Sequence, residues 1–177
     1  WTGSVVRFLI ASWTLASPWE MFAYAGLGLV AAVVGVWFGA AVWSTEKAFE
    51  KLRVPAIAKS SIGGLLVGCI GITLPHVFGS DYGPINAAFA GALPLGLMLA
   101  LLFAKAVATS LTLGSGGSGG VFAPSLFLGA MAGGAFGTAV HAAFPALTAS
   151  SGAYALVGMG AVVAAATHAP ITAILLI

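Results

Sequence analysis

The stretch Leu113-Gly114-Ser115-Gly116-Gly117-Ser118-Gly119-Gly120-Val121-Phe122-Ala123-Pro124-Ser125-Leu126-Phe127 decides how the chain is read. From Gly114 to Gly120 it contains only glycine and serine. Such a run cannot stay helical, because glycine costs about 1 kcal/mol per helical position relative to alanine. Helix-compatible sequence then resumes at once. Pro124 marks the restart: in a first turn its missing N–H costs nothing and its φ is already helical. A helix that begins there leaves the amides around Val121, Phe122 and Ala123 without intrahelical acceptors, at the positive end of the macrodipole. That is an anion site. Gly119 and Gly120 let a small ion approach the backbone without meeting side chains. No Lys or Arg lies in the stretch, and neutral amides hold an anion loosely enough to let it leave, which conduction requires.

Both flanks of the loop are apolar. Of 177 residues 60% are hydrophobic and only 6% charged, and the mean hydropathy is +1.11. A soluble domain carries roughly a quarter of its residues as Asp, Glu, Lys and Arg. So few charges cannot build a water-exposed surface, and lipid is the expected solvent. The net charge of +2 comes without a basic patch beyond one short cluster, and nucleic acid is not an expected partner. The single cysteine, Cys69, excludes an internal disulfide and reads as a small packed core residue. Isolated His76 and His141 offer no metal spacing. Trp1 is not a start methionine and Ile177 falls inside an apolar run, so the chain reads as a piece of a longer membrane domain.

Apolar stretches run over Ser4–Trp13, Met21–Trp43, Ile62–Phe78, Ala87–Leu113, Val121–Phe144 and Tyr154–Ile177, the last broken at Thr167-His168-Ala169-Pro170. They are apolar all round, so they face lipid or lie buried. Gly35 and Gly39, Gly64 and Gly68, and the series Gly129, Gly133 and Gly137 recur at a spacing of four; the series predicts a face where helices approach closely. Lys47, Lys51, Arg53 and Lys59 fall in one connection, which the positive-inside tendency makes cytoplasmic. Asp81 and Tyr82 then lie outside, and Trp13 and Trp19 form an outer interfacial anchor. The run Ala87–Leu113, long enough to span, carries the charged Lys105. Lys105 is either a functional residue or a lysine snorkelling to the inner interface.

Other readings of the loop remain open. It could be a flexible linker, although no soluble module flanks it. It could be a turn in a purely structural helix bundle. Gly116-Gly117-Ser118-Gly119-Gly120 also fits a nucleophile pattern, so Ser118 with His168 would make an intramembrane serine hydrolase. That pair lacks a carboxylate to orient the histidine, since no acidic residue follows Lys105. His168 reads first as a helix-end residue.

Gly120-Val121-Phe122-Ala123-Pro124 resembles the G-x-F-x-P motif of the CLC chloride channels and chloride/proton antiporters. The run to Ala130, Gly158-Met159-Gly160-Ala161, His168-Ala169-Pro170-Ile171-Thr172 and the opening Leu15-Ala16-Ser17-Pro18-Trp19-Glu20 look like the same family. The resemblance covers essentially residues 1–177, at the position of the second of two inverted repeats. It implies an all-α integral membrane fold with tilted and re-entrant helices, half of an inverted-repeat domain truncated at both ends. It also implies a homodimer in a plasma membrane. The transported ion would be chloride, with protons as well in antiporters, and no cofactor. By the resemblance, the amides of Val121 and Phe122 hold the central anion, the Phe122 ring lines the path, and Lys105 lies near the intracellular entrance. None of Glu20, Glu46, Glu50 and Asp81 matches the family's gating or proton glutamates, so channel and antiporter both stay open.

Overall fold

The computed structural model describes residues 17–78 and 82–176, all helices and connections with no strand among them. The stretch Ser4–Trp13, the Trp13 anchor and the outer Asp81 lie outside the described residues. The helices are α1 (Glu20–Glu50), α2 (Ala56–Thr73), α3 (Gly83–Phe89), α4 (Leu95–Gly114), α5 (Phe122–Ala143), α6 (Ser151–Thr167) and α7 (Pro170–Leu176). A single 3-10 turn, Pro75–Val77, follows α2. Four of these helices, α1, α2, α4 and α5, are long and apolar enough to cross a membrane. On α1 the outward Leu29, Val33 and Val36 are as apolar as the buried Leu27, Ala31 and Phe38. A face of that kind belongs against hydrocarbon.

Contacts along α1 set the topology. Tyr24 stacks on Tyr154 with ring centroids 4.8 Å apart, and Gly35 abuts Ala165. The sequence offset is 130 in both pairs (154 − 24 and 165 − 35), so α1 and α6 run parallel side by side. Trp37 meets Phe103 edge-on and Gly114 lies against Thr45 and Glu46, so α4 runs parallel to α1 as well. The other direction belongs to α2 and α5. Gly63 of α2 touches Ser115 at the end of α4, and Gly129 and Gly133 of α5 meet α6 in descending order, at Gly158 and then Tyr154. One end of the bundle therefore gathers the ends of α1, α4 and α6 with the beginnings of α2 and α5. Lys47, Lys51, Arg53 and Lys59 lie at that end.

The glycine series presses α5 closely onto α6. A Cβ on Gly129 would collide with the Gly158 carbonyl, one on Gly133 with the Tyr154 carbonyl, and one on Gly137 with the Tyr154 Cβ at 2.7 Å. Backbone meets backbone, as the spacing of four predicts. The other spaced glycines divide. Gly35 packs on α6, but Gly39, Gly64 and Gly68 face open space. On α2 the close contacts fall to Gly63 and Gly71 instead.

Several boundaries differ from the hydropathy reading. The run Ala87–Leu113 is two helices: Gly91 takes φ +65, a left-handed turn that glycine adopts without cost, and Pro94 then precedes α4. Lys47 and Lys59 lie on α1 and α2, leaving Lys51 and Arg53 in the connection, because strong helix formers carry α1 on to Glu50. Cys69 is exposed. An all-apolar helix gives no sign of which face turns outward. The break near His168 is as expected: it caps α6 at φ 56 in the left-handed region, and α7 restarts at Pro170.

A candidate anion site at the start of α5

The loop ahead of α5 is built by the end of α4. Gly116 takes φ +82, its N–H reaches Leu113 O at 3.0 Å and that of Gly117 reaches Thr112 O at 2.9 Å. This pair of bonds is a Schellman closure, with glycine at the left-handed position. Gly117 must also be small, since a Cβ there would lie 2.7 Å from Thr112 O. Ser60 ties the loop to α2 by donating its hydroxyl to Ser115 O at 3.1 Å.

Helix α5 starts with Val121 as its N-cap residue and no side-chain cap. Its first turn is closed by Ser125, which gives Val121 O its N–H at 3.0 Å and its hydroxyl at 2.7 Å. Ser125 is fully buried. Pro124, third in the helix, removes a donor that could have turned inward. Among the described residues, the amides of Ser118 to Ala123 donate no hydrogen bond. These donors lie at a helix start bearing the positive end of the macrodipole.

A cavity of about 400 Å³ opens beside this start. Of the residues singled out from sequence, it brings together Lys105, Gly119, Gly120, Ala123 and Pro124. Val121 lines a smaller pocket of about 160 Å³ against Phe38, Val42 and Trp43 of α1. The Phe122 ring is exposed and borders neither. Ser118 lines the larger cavity, whereas the exposed His168 does not, and no described residue offers that pair a carboxylate.

Lys105 is the eleventh of twenty residues in α4, and it does not snorkel. Its side chain is buried, with Nζ 2.8 Å from Val77 O and 5.4 Å from the Phe127 ring centroid. Among the described residues that line the cavity it is the one with a formal charge. Thr109 and Thr112 line the same wall. They follow Lys105 by four and seven positions, one face of a helix, so a polar stripe in an otherwise apolar span was a readable signal. Thr112 spends its hydroxyl hydrogen on Ala108 O at 2.8 Å. Among the described residues no group of three His, Cys, Asp or Glu is placed to hold a metal.

In this helical bundle, amides that donate no hydrogen bond among the described residues stand beside a cavity that the buried Lys105 also lines. Residues 2–177 match the family described as voltage gated chloride channel, and the chain belongs to that family. It is 42% identical over 162 residues to a ClcB-like protein of Ralstonia nicotianae, covering 91% of this chain and 38% of that one. It is 37% identical to proteins named H(+)/Cl(-) exchange transporter ClcA from Salmonella agona and Klebsiella pneumoniae, covering 89% of this chain and 34% of each. The chain thus spans little more than a third of the length of these relatives.

Proposed function

We propose that this chain carries part of a chloride pathway, with the anion held by the backbone amides of Val121, Phe122 and Ala123. The observation that carries the reading is the start of α5, where amides that donate no hydrogen bond among the described residues stand beside a cavity that Lys105 also lines. Gly119 and Gly120 leave the approach to the amides free of side chains, and Pro124 fixes the helix start. Lys105, midway along α4 rather than at an entrance, raises the local anion concentration in the cavity. Family membership and the names of the relatives, two of which are named proton–chloride exchange transporters, support the same reading.

The working unit in this proposal is a homodimer in a plasma membrane, with the basic end of the bundle facing the cytoplasm. The ion is chloride, with protons moved in exchange if the intact protein is an antiporter. Proteoliposomes of the intact protein, followed with chloride and pH electrodes together, test it. Chloride efflux that Val121→Pro slows supports the proposal. Uphill proton movement driven by a chloride gradient assigns the exchanger, and its absence the channel. Efflux indifferent to Val121→Pro contradicts the amide site.

A further inference from the structure

We propose that the basic end of the bundle is a docking surface for the headgroups of anionic phospholipids. At 31 residues α1 is about 46 Å long, so it extends past a hydrocarbon core of about 30 Å into the headgroup layer. Trp43, Lys47 and Lys51 follow at intervals of four along this end, one face of the helix. The Lys47 ammonium sits 3.6 Å from the Trp43 ring centroid, a cation held on an aromatic face at the depth where indoles gather. Arg53 is exposed in the connection and Lys59 lies in the first turn of α2.

Two further features point to lipid. No ion pair within 4 Å joins Lys47, Lys51, Arg53 or Lys59 to a carboxylate among the described residues, so their charges are free to meet phosphates. Large apolar side chains alternate with them: Leu52, Val54 and Ile57 are exposed, Ile57 at 82%. A soluble acidic partner would leave those side chains in water. A membrane surface takes both kinds at once, the apolar groups at the acyl boundary and the cations at the phosphates.

The intact protein in nanodiscs of phosphatidylcholine, with and without phosphatidylglycerol, provides the test, with retained lipid read by native mass spectrometry. The wild type retains phosphatidylglycerol preferentially. Each basic group near the surface contributes about a fivefold preference, so the double variant Lys51→Gln, Arg53→Gln lowers affinity about tenfold or more. Trp43→Ala, which keeps every charge, also weakens retention. The preference shrinks in high salt, and millimolar inorganic phosphate does not displace the lipid. Equal retention by the wild type and the double variant overturns the proposal, as does displacement by inorganic phosphate. Capture of an acidic protein with no lipid preference overturns it in favour of a protein partner.

Discussion

The two ends of the α5 story are built on opposite rules. From Gly129 to Gly137 the helix is pressed against α6 until backbone touches backbone, with no room for a methyl group. From Ser118 to Ala123 the chain is left open, its amides unpaired and its residues exposed. One region is rigid because glycine removes side chains between helices. The other is accessible because glycine removes side chains in front of donors. The same residue type serves both, and the difference lies in what stands opposite it. In the proposed site, a fixed helix body would keep the amide donors in place, since donors that need no reorganisation hold their geometry when an ion arrives.

The largest expected effect comes from breaking the rigid region. Gly133→Ala places a methyl group on the Tyr154 carbonyl, and neither backbone can give way. We expect a loss of about 3 kcal/mol, the upper end of the overpacking range, read as a lowered thermal unfolding midpoint. Gly64→Ala, facing open space on α2, should instead be neutral or gain up to about 1 kcal/mol from helix propensity. Equal losses in the two variants would dissolve the contrast between packed and open glycines.

Next comes the open region. Val121→Pro deletes one amide donor at a position whose φ of −88 lies near the proline range. Leaving the anion short of a partner costs about 1–3 kcal/mol, which weakens chloride binding roughly ten- to a hundredfold. Isothermal titration of the intact protein reads this directly. Phe122→Ala should alter the flux yet keep an anion bound, because the donor is not the ring.

Lys105 sharpens the comparison, since it belongs to the cavity without touching the amide cluster. Lys105→Glu should slow chloride flux about tenfold at low salt and more than Lys105→Met does. The gap between the two should narrow at 1 M salt, where the Debye length is about 3 Å. Equal flux in wild type and Lys105→Glu at low salt would reduce Lys105 to a tether for Val77. The smallest effect belongs to Ser118→Ala, which should leave flux within about twofold, since neutral surface changes cost little. A hydrolase would lose all activity there.

What sequence alone could reveal follows from where each signal sits. The loop ahead of α5, its helix restart and the glycine series were legible because glycine, proline and a spacing of four act locally. His168 was legible for the same reason, a histidine ahead of Ala169-Pro170 at the end of an apolar run. The break at Gly91 was not seen, because Gly91-Ala92-Leu93-Pro94 does not lower the hydropathy of the run from Ala87 to Leu113. The exposure of Cys69 could not be read from α2, whose turns are apolar on every side. Nor could the bond from Lys105 to Val77, which joins residues 28 positions apart and exists only once α2 and α4 pack. The Thr109 and Thr112 stripe is present in the sequence, but a threonine in an apolar helix can bond its own backbone, as Thr112 does to Ala108 O, and so does not by itself mark a polar wall.

The central claim is that the start of α5 holds the transported anion through its backbone. Crystals of the intact protein soaked in bromide test it most directly, with anomalous density as the readout. The account predicts a bromide peak within about 3.5 Å of the Val121 and Phe122 amide nitrogens, a distance slightly longer than an N–H···O bond because the ion is larger. The peak should weaken in Val121→Pro and persist in Phe122→Ala. A bromide path that crosses the protein elsewhere, with no peak at the start of α5, would contradict it.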